Sequence, residues 1–211
     1  MNISKRLQAV ATLVDVNARV IDVGCDHAYL DIYLTLNNGN ECIATDINKN
    51  ALEMAKKNIK KYNLEDKIET KLTDGLYDIK INKKDNIVIS GMGTFTILDI
   101  LKTNKLSDTL IISANNNIDI LREKIISFGY FIDSEIFIID KKKPYVIIKF
   151  IKGIKKYNRI DIILGPILRH NIEYRRYIIN KHKKIYNNIS NKKILLKIKY
   201  RLLILFLKII K

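Results

Sequence analysis

Two cysteines, three histidines and no tryptophan are the scarcities of this 211-residue chain. Cys25 and Cys42 lack metal-ligand spacing and the histidines are scattered. A disulfide framework is therefore not expected, nor is a metal site, and a reduced, cytoplasmic protein is. An apolar content of 47% suffices for a core without either kind of staple. Long apolar runs are also missing. The stretch MNISKRLQAVATLVDV is amphipathic and carries an acid, which does not read as a signal peptide. Near the other end the longest uninterrupted apolar run, Leu202 to Leu207, is too short to span a bilayer.

Acids are scarce in one region only. Residues 1–140 carry 17 Lys/Arg against 20 Asp/Glu, a net of −3, whereas residues 141–211 carry 21 against 2, a net of +19. A lysine-rich compositional habit would raise both parts alike. The asymmetry points instead to a polyanionic partner held by the C-terminal part, with nucleic acid favoured. Arg169, Arg175 and Arg176 are candidate contacts there.

Helical spacing of Leu7, Val10, Ala11 and Val14 predicts a first helix over residues 4–14, with Ser4 as a cap. Strands are expected at 19–23, 41–46, 67–72, 86–90 and 109–113, and helices at 28–36, 49–62, 96–102 and 118–128. Two alternating segments, 131–139 and 145–151, flank Lys141-Lys142-Lys143-Pro144 and read as a hairpin. Five βα units followed by a hairpin imply an α/β fold with a doubly wound, mostly parallel sheet and a late antiparallel strand. The expected domains are 1–153 and a basic helical 154–211, the latter restarting at Gly165-Pro166 and forming two amphipathic helices packed as a hairpin. The greasy last helix leaves a membrane-surface role open.

The stretch VIDVGCDHAYLDIYL, from Val20 to Leu34, opens like a nucleotide fold, a β-branched strand running into Gly24. It then puts Asp26 and Ala28 where small residues are usual. A dinucleotide would lay its pyrophosphate on this loop, at a helix N-terminus. Asp26 would oppose it, since two like charges ~4 Å apart repel by about 4 kcal/mol at an effective dielectric near 20. S-adenosylmethionine has no phosphate and carries a cationic sulfur, so an acid is tolerated. The other strand ends agree. Asp46, with Ile47 beside it, follows strand two, where an acid can accept from both ribose hydroxyls. Asp74-Gly75 follows strand three near the expected adenine edge. Gly91-Met92-Gly93 follows strand four, where the backbone must come close. Asp22, Gly24, Cys25 and His27 complete the expected cofactor set.

These residues resemble the bacterial tRNA (adenine-22-N1)-methyltransferases. The likeness runs in order through Ser4-Lys5-Arg6-Leu7, Asp22 to Leu30, Asp74-Gly75-Leu76, Gly91-Met92-Gly93, Asn115, Leu121-Arg122 and Leu164-Gly165-Pro166. It implies a Rossmann-like methyltransferase domain, a small C-terminal α-helical, coiled-coil-like domain, S-adenosyl-L-methionine as cofactor and tRNA as substrate. The family usually has Ser at Cys25, Pro at Asp31, Gly at Thr94 and Gln-Pro at Ser113-Ala114. The last two departures are expected to line the substrate mouth, and the C-terminal region looks shortened.

Adenine N1 has an in-plane lone pair, so methylation there needs alignment rather than deprotonation. Asp26 is the expected catalytic residue, orienting the exocyclic amine and stabilising charge on the ring. The competing reading is that it caps the helix at Ala28. His27 has three open roles: cofactor carboxylate, base, or a backbone carbonyl. Tyr29 is a candidate base contact, with a core position the commoner fate, and Gly93 and Asn115 are further substrate candidates. Cys25 reads as a packing residue with no partner cysteine for covalent methylation. No Asn-Pro-Pro-Tyr-like stretch follows strand four, which suits ring-nitrogen chemistry. No stable protein partner is expected and a monomer is favoured. The alternatives are a methyltransferase of another RNA, such as rRNA, or of a protein, and a non-catalytic RNA-binding protein; an NAD-dependent dehydrogenase is more distant.

Overall fold

The computed structural model describes residues 1–102, 105–190 and 193–209. Seven strands are joined in the order β3-β2-β1-β4-β5-β7-β6. They are β1 (Val20–Val23), β2 (Cys42–Asp46), β3 (Ile68–Leu72), β4 (Asn86–Met92), β5 (Thr109–Ala114), β6 (Tyr130–Asp140) and β7 (Lys143–Lys152). The first five are parallel; β7 runs antiparallel to β5, and β6 antiparallel to β7. This is the doubly wound sheet with a late hairpin that the alternation predicts.

Strand periodicity sorts the core. Val20, Ala44, Val88 and Ile111 face a cluster built with α1 (Lys5–Ala11), α2 (Tyr29–Asn38) and α3 (Lys49–Lys61), through Val10, Ile32 and Ile59. Their neighbours Ile21, Ile87, Ile89 and Leu110 are also fully buried, so the central strands are covered on both faces. Helices α4 (Thr94–Lys102) and α5 (Ile118–Ser127) pack against β4 and β6. The strand order reverses between β1 and β4, and the crevice beyond their carboxyl ends is where such sheets bind ligands.

The chain divides into two compact units, Met1–Lys156 and Tyr157–Lys211. The second holds α6 (Arg159–Leu164), a 3₁₀ turn at Leu168–His170, α7 (Ile172–Asn188) and α8 (Ile194–Ile209). Asn158 starts α6 with a capping box completed by Asp161. Along α7 and α8 three contacts run in opposite directions. Arg175 donates to the Leu207 carbonyl, His182 lies 5.7 Å from Tyr200, and Lys197 sits over the Tyr186 ring. The two helices are therefore antiparallel. Among the described residues no helix is long and apolar enough to cross a membrane.

Candidate active site

The loop after β1 spends its own donors. The Gly24 and Cys25 amides both donate to the Thr45 carbonyl, at 2.8 and 2.9 Å. The Asp26 amide donates to Asp46 Oδ2 at 3.1 Å, and the Ala28 amide to the Cys25 carbonyl. A pyrophosphate cradle needs those N–H groups free, and here they are not. Asp26 and Ala28 take positive φ, 53° and 55°, so the chain turns sharply twice before α2 begins. Nothing in that turn makes Asp26 a helix cap. Ala28 occupies the cap position without a side-chain bond, and the Asp26 side chain is 74% exposed. The capping alternative is thereby excluded, and the carboxylate stands at the mouth, 3.6 Å from His27 Nε2.

Each neighbouring strand end contributes to the same rim. Asp46 is pinned by the Asp26 amide and, at 2.8 Å, by the Asn48 amide. Each of its oxygens keeps a lone pair for a further donor. Ile47 beside it is 70% exposed. After β3, Thr73 bonds the Asp46 and Tyr77 carbonyls, closing a turn that leaves Asp74 outside and Gly75 inside. After β4, pairing with β5 slips by one residue at Gly91, a bulge with φ 96°. The bulge directs Met92 across the crevice: a Cβ on Gly24, itself at φ 77°, would lie 2.3 Å from Met92 Cε. The dihedral at 24 favours glycine, and the Met92 methyl, the far end of a flexible side chain, fills the space where a Cβ would stand. Asn115 donates to the Gly91 carbonyl at 2.7 Å and so braces this bulge.

Buried acids underlie the loop. Asp22 and Asp31 face each other with almost no exposure, and no donor meets either Asp31 oxygen. Burial pushes both carboxyls up, Asp31 to about 7 and Asp22 well above its ordinary value. Burial, followed by the acids around it, also pushes the Cys25 thiol far up. Cys25 is a packing residue and not a nucleophile.

Other expected residues fall differently. Tyr29 is 43% exposed, edge-on to His27 at 5.7 Å, and not a core residue. Thr94, Ser113 and Ala114 are buried and do not line an open mouth. Thr94 instead bonds the Asn116 carbonyl and stitches α4 to the end of β5. In the helical unit Arg169 pairs with Asp161 at 3.0 Å, and Arg175 is tied to the Leu207 carbonyl, while Arg176 is exposed. Sequence reasoning missed Arg6, which reaches Ser90 Oγ at 2.5 Å, and the exposed rim aromatics Tyr77 and Phe95. The motif Ser4-Lys5-Arg6-Leu7 carried the only signal for Arg6.

Comparison with known proteins sharpens this geometry. A family model described as a methyltransferase domain matches residues 3–148. The tRNA (adenine(22)-N(1))-methyltransferase of Bacillus subtilis (strain 168) is 33% identical over 179 residues, 80% of this chain and 75% of that protein. The chain belongs to this methyltransferase family. Members of similar shape include M. capricolum TrmK in complex with S-adenosyl-homocysteine, at TM-score 0.84 and 31% identity, over 99% of both chains. Streptococcus pneumoniae Sp1610, solved with S-adenosyl-L-methionine, gives TM-score 0.87 and 29% identity over 97% of this chain and all of that one. As a methyltransferase, the chain has a reason for an acidic first loop whose amides are occupied: its cofactor presents no phosphate.

Proposed function

We propose that this chain transfers the methyl group of S-adenosylmethionine to N1 of adenine 22 in tRNA. The observation that carries the reading is the first loop, where the amides of Gly24, Cys25 and Asp26 are all internally bonded and an exposed carboxylate stands at the mouth. Such a loop rejects a diphosphate and tolerates a sulfonium, which supplies an electrophilic methyl. The cradle fits the group: Gly24 and Gly91 keep the crevice floor free of Cβ atoms, and Asp46 retains acceptor capacity for ribose hydroxyls.

In this reading Asp22, Gly24, Cys25, His27, Asp46, Ile47, Asp74, Gly75, Gly91 and Met92 surround the cofactor. Tyr29, Gly93 and Asn115 face the target nucleotide. Asp26 accepts a hydrogen bond from the exocyclic amine of adenine, presenting N1 in line with the methyl and favouring the positive charge that grows on the ring. The Watson–Crick edge must be unpaired to reach it. The helical unit supplies phosphate contacts. Among the described residues no ion pair engages Arg176, nor Lys183, Arg201 and Lys208 along a groove between α7 and α8 of about 360 Å³ that also holds Tyr186. Arg169 and Arg175 serve the unit's own architecture first. Buried, unpaired Cys25 and Cys42 suit action in the cytoplasm.

The test is methylation of an unmodified tRNA transcript, mapped by primer-extension stops. A stop at adenine 22 is expected with the native chain. Asp26→Ala should lower turnover on the order of 100-fold or more with little change in cofactor affinity. Full turnover by that variant would remove Asp26 from catalysis. Methyl transfer to rRNA with none to tRNA would overturn the substrate.

A further inference from the structure

Helix α8 carries two apolar faces, and α7 covers one of them. Tyr200, Ile204 and Leu207 form the inner face. His182 of α7 lies 5.7 Å from the Tyr200 ring, Arg175 donates to the Leu207 carbonyl, and Ile204 and Leu207 are buried. On the other side Ile194, Ile198, Leu202 and Leu205 recur at helical spacing, with Leu195 at their edge. At 3.6 residues per turn these five fall within an arc of about 100°, turned away from Ile204 and Leu207. All five are exposed, Leu195 to 85% and Leu202 to 61%. The described residues leave this second stripe uncovered, and a contiguous exposed run of leucine and isoleucine marks a surface that meets a partner.

Charge borders the stripe on both sides. Lys199 flanks one edge, Arg201 and Lys208 the other, and all three are exposed. Helix α8 contains no acid, and residues 141–211 hold only two, of which Asp161 completes the α6 capping box and pairs with Arg169. The phosphates of a nucleic acid would meet these cations but gain nothing from covering leucine. A second copy would cover the leucines, yet it would set Lys199, Arg201 and Lys208 against their own kind, and like charges brought together oppose docking. An anionic bilayer surface suits both features, since its acyl boundary takes the stripe and its headgroups meet the cations. The length of α8 fits a helix lying flat. Its 16 residues rise about 24 Å, short of the roughly 30 Å of a hydrocarbon core, and no helix among the described residues is able to cross a membrane.

We propose that the outer face of α8 docks on an anionic lipid bilayer. Ile194, Leu195, Ile198, Leu202 and Leu205 enter the headgroup boundary, while Lys199, Arg201 and Lys208 meet the lipid phosphates. The inference is independent of the reaction proposed above, because none of these side chains is among those placed around the crevice.

The test is sedimentation of the full-length chain with vesicles of about one-third phosphatidylglycerol in phosphatidylcholine, beside vesicles of phosphatidylcholine alone. The native chain should bind the anionic vesicles at least about tenfold more tightly than the neutral ones. Ile198→Gln combined with Leu202→Gln should lose at least about tenfold on the anionic vesicles. The same pair should keep its tRNA affinity within about twofold, because it removes no cation. The chain has no tryptophan, so Leu202→Trp supplies a single reporter. Its emission should move to the blue when anionic vesicles are added, as the indole leaves water for an apolar boundary. Vesicle binding by the glutamine pair equal to that of the native chain would reduce the attachment to charge and overturn the proposal, as would a tryptophan emission that stays in place. Native binding that is absent, or equal on neutral vesicles, would overturn it as well. A native oligomer that the glutamine pair converts to monomer in analytical ultracentrifugation would give the stripe to a second copy instead. Should the glutamine pair not fold, Leu195→Gln is read in the same assays.

Discussion

Asp31 puts a fully buried carboxyl opposite Asp22, in the first turn of α2, where neither of its oxygens meets a donor. Folded, it keeps its proton to about pH 7, whereas an unfolded aspartate releases it near 3.8. Between those values the native state binds more protons than the unfolded chain, so its stability falls as pH rises across the window and levels off above it. Asp22 is raised for the same reason and adds in the same direction. The expected slope approaches about 1.4 kcal/mol per pH unit for one proton. Urea midpoints at several pH values between 4 and 8 should show the decline, and Asp31→Asn should flatten it. An unchanged slope in the variant would mean that the proton resides elsewhere.

Between elements, the ion pair of Arg122 with Glu135 ties α5 to β6 at 2.8 Å, with both side chains wholly buried. Removing either member takes the ion-pair partner from a charge buried in the core. Arg122→Met and Glu135→Leu should each cost about 3–5 kcal/mol, while the double variant should recover most of that loss. A double-mutant cycle in urea measures it, and losses that simply add would show that the pair is not coupled. Much of this architecture was legible from pattern: β-branched runs gave the strands, and Lys49–Lys61 shows its amphipathic face as Leu52, Ala55 and Ile59, all buried. The bulge at Gly91 was not legible. A glycine in a strand announces only freedom, and the slip against β5 that throws Met92 over Gly24 arises from pairing partners more than twenty residues away.

For the whole molecule, the decisive quantity is the charge split, −3 over residues 1–140 against +19 over 141–211. Phosphate contacts release counterions, so tRNA affinity should fall steeply with salt, by about 100-fold or more between roughly 50 and 200 mM KCl. Cofactor affinity should hardly change over the same range. Filter binding for the one and calorimetry for the other make the comparison, and a salt-independent tRNA affinity would contradict a grip built on lysine and arginine. Composition alone is what assigns the proposed grip to the C-terminal part. Which arginines are free to join it was out of reach, because Arg169 and Arg175 find partners, Asp161 and the Leu207 carbonyl, that only folding brings near.

By itself the sequence determined the strand and helix alternation, the acidic first loop, the acids and glycines at the strand ends and the basic C-terminal part. All of these are local in the chain: periodicity, dihedral preference and charge count need no distant partner. Tertiary structure alone decided that Asp26 points outward while Asp22 and Asp31 are buried together, and that Tyr29 is exposed while Thr94 is not. It alone brings Arg6 to Ser90 across 84 residues of chain. Those outcomes depend on which groups meet at a sheet's edge, and register and turns set that, not the identity of any neighbour in the chain.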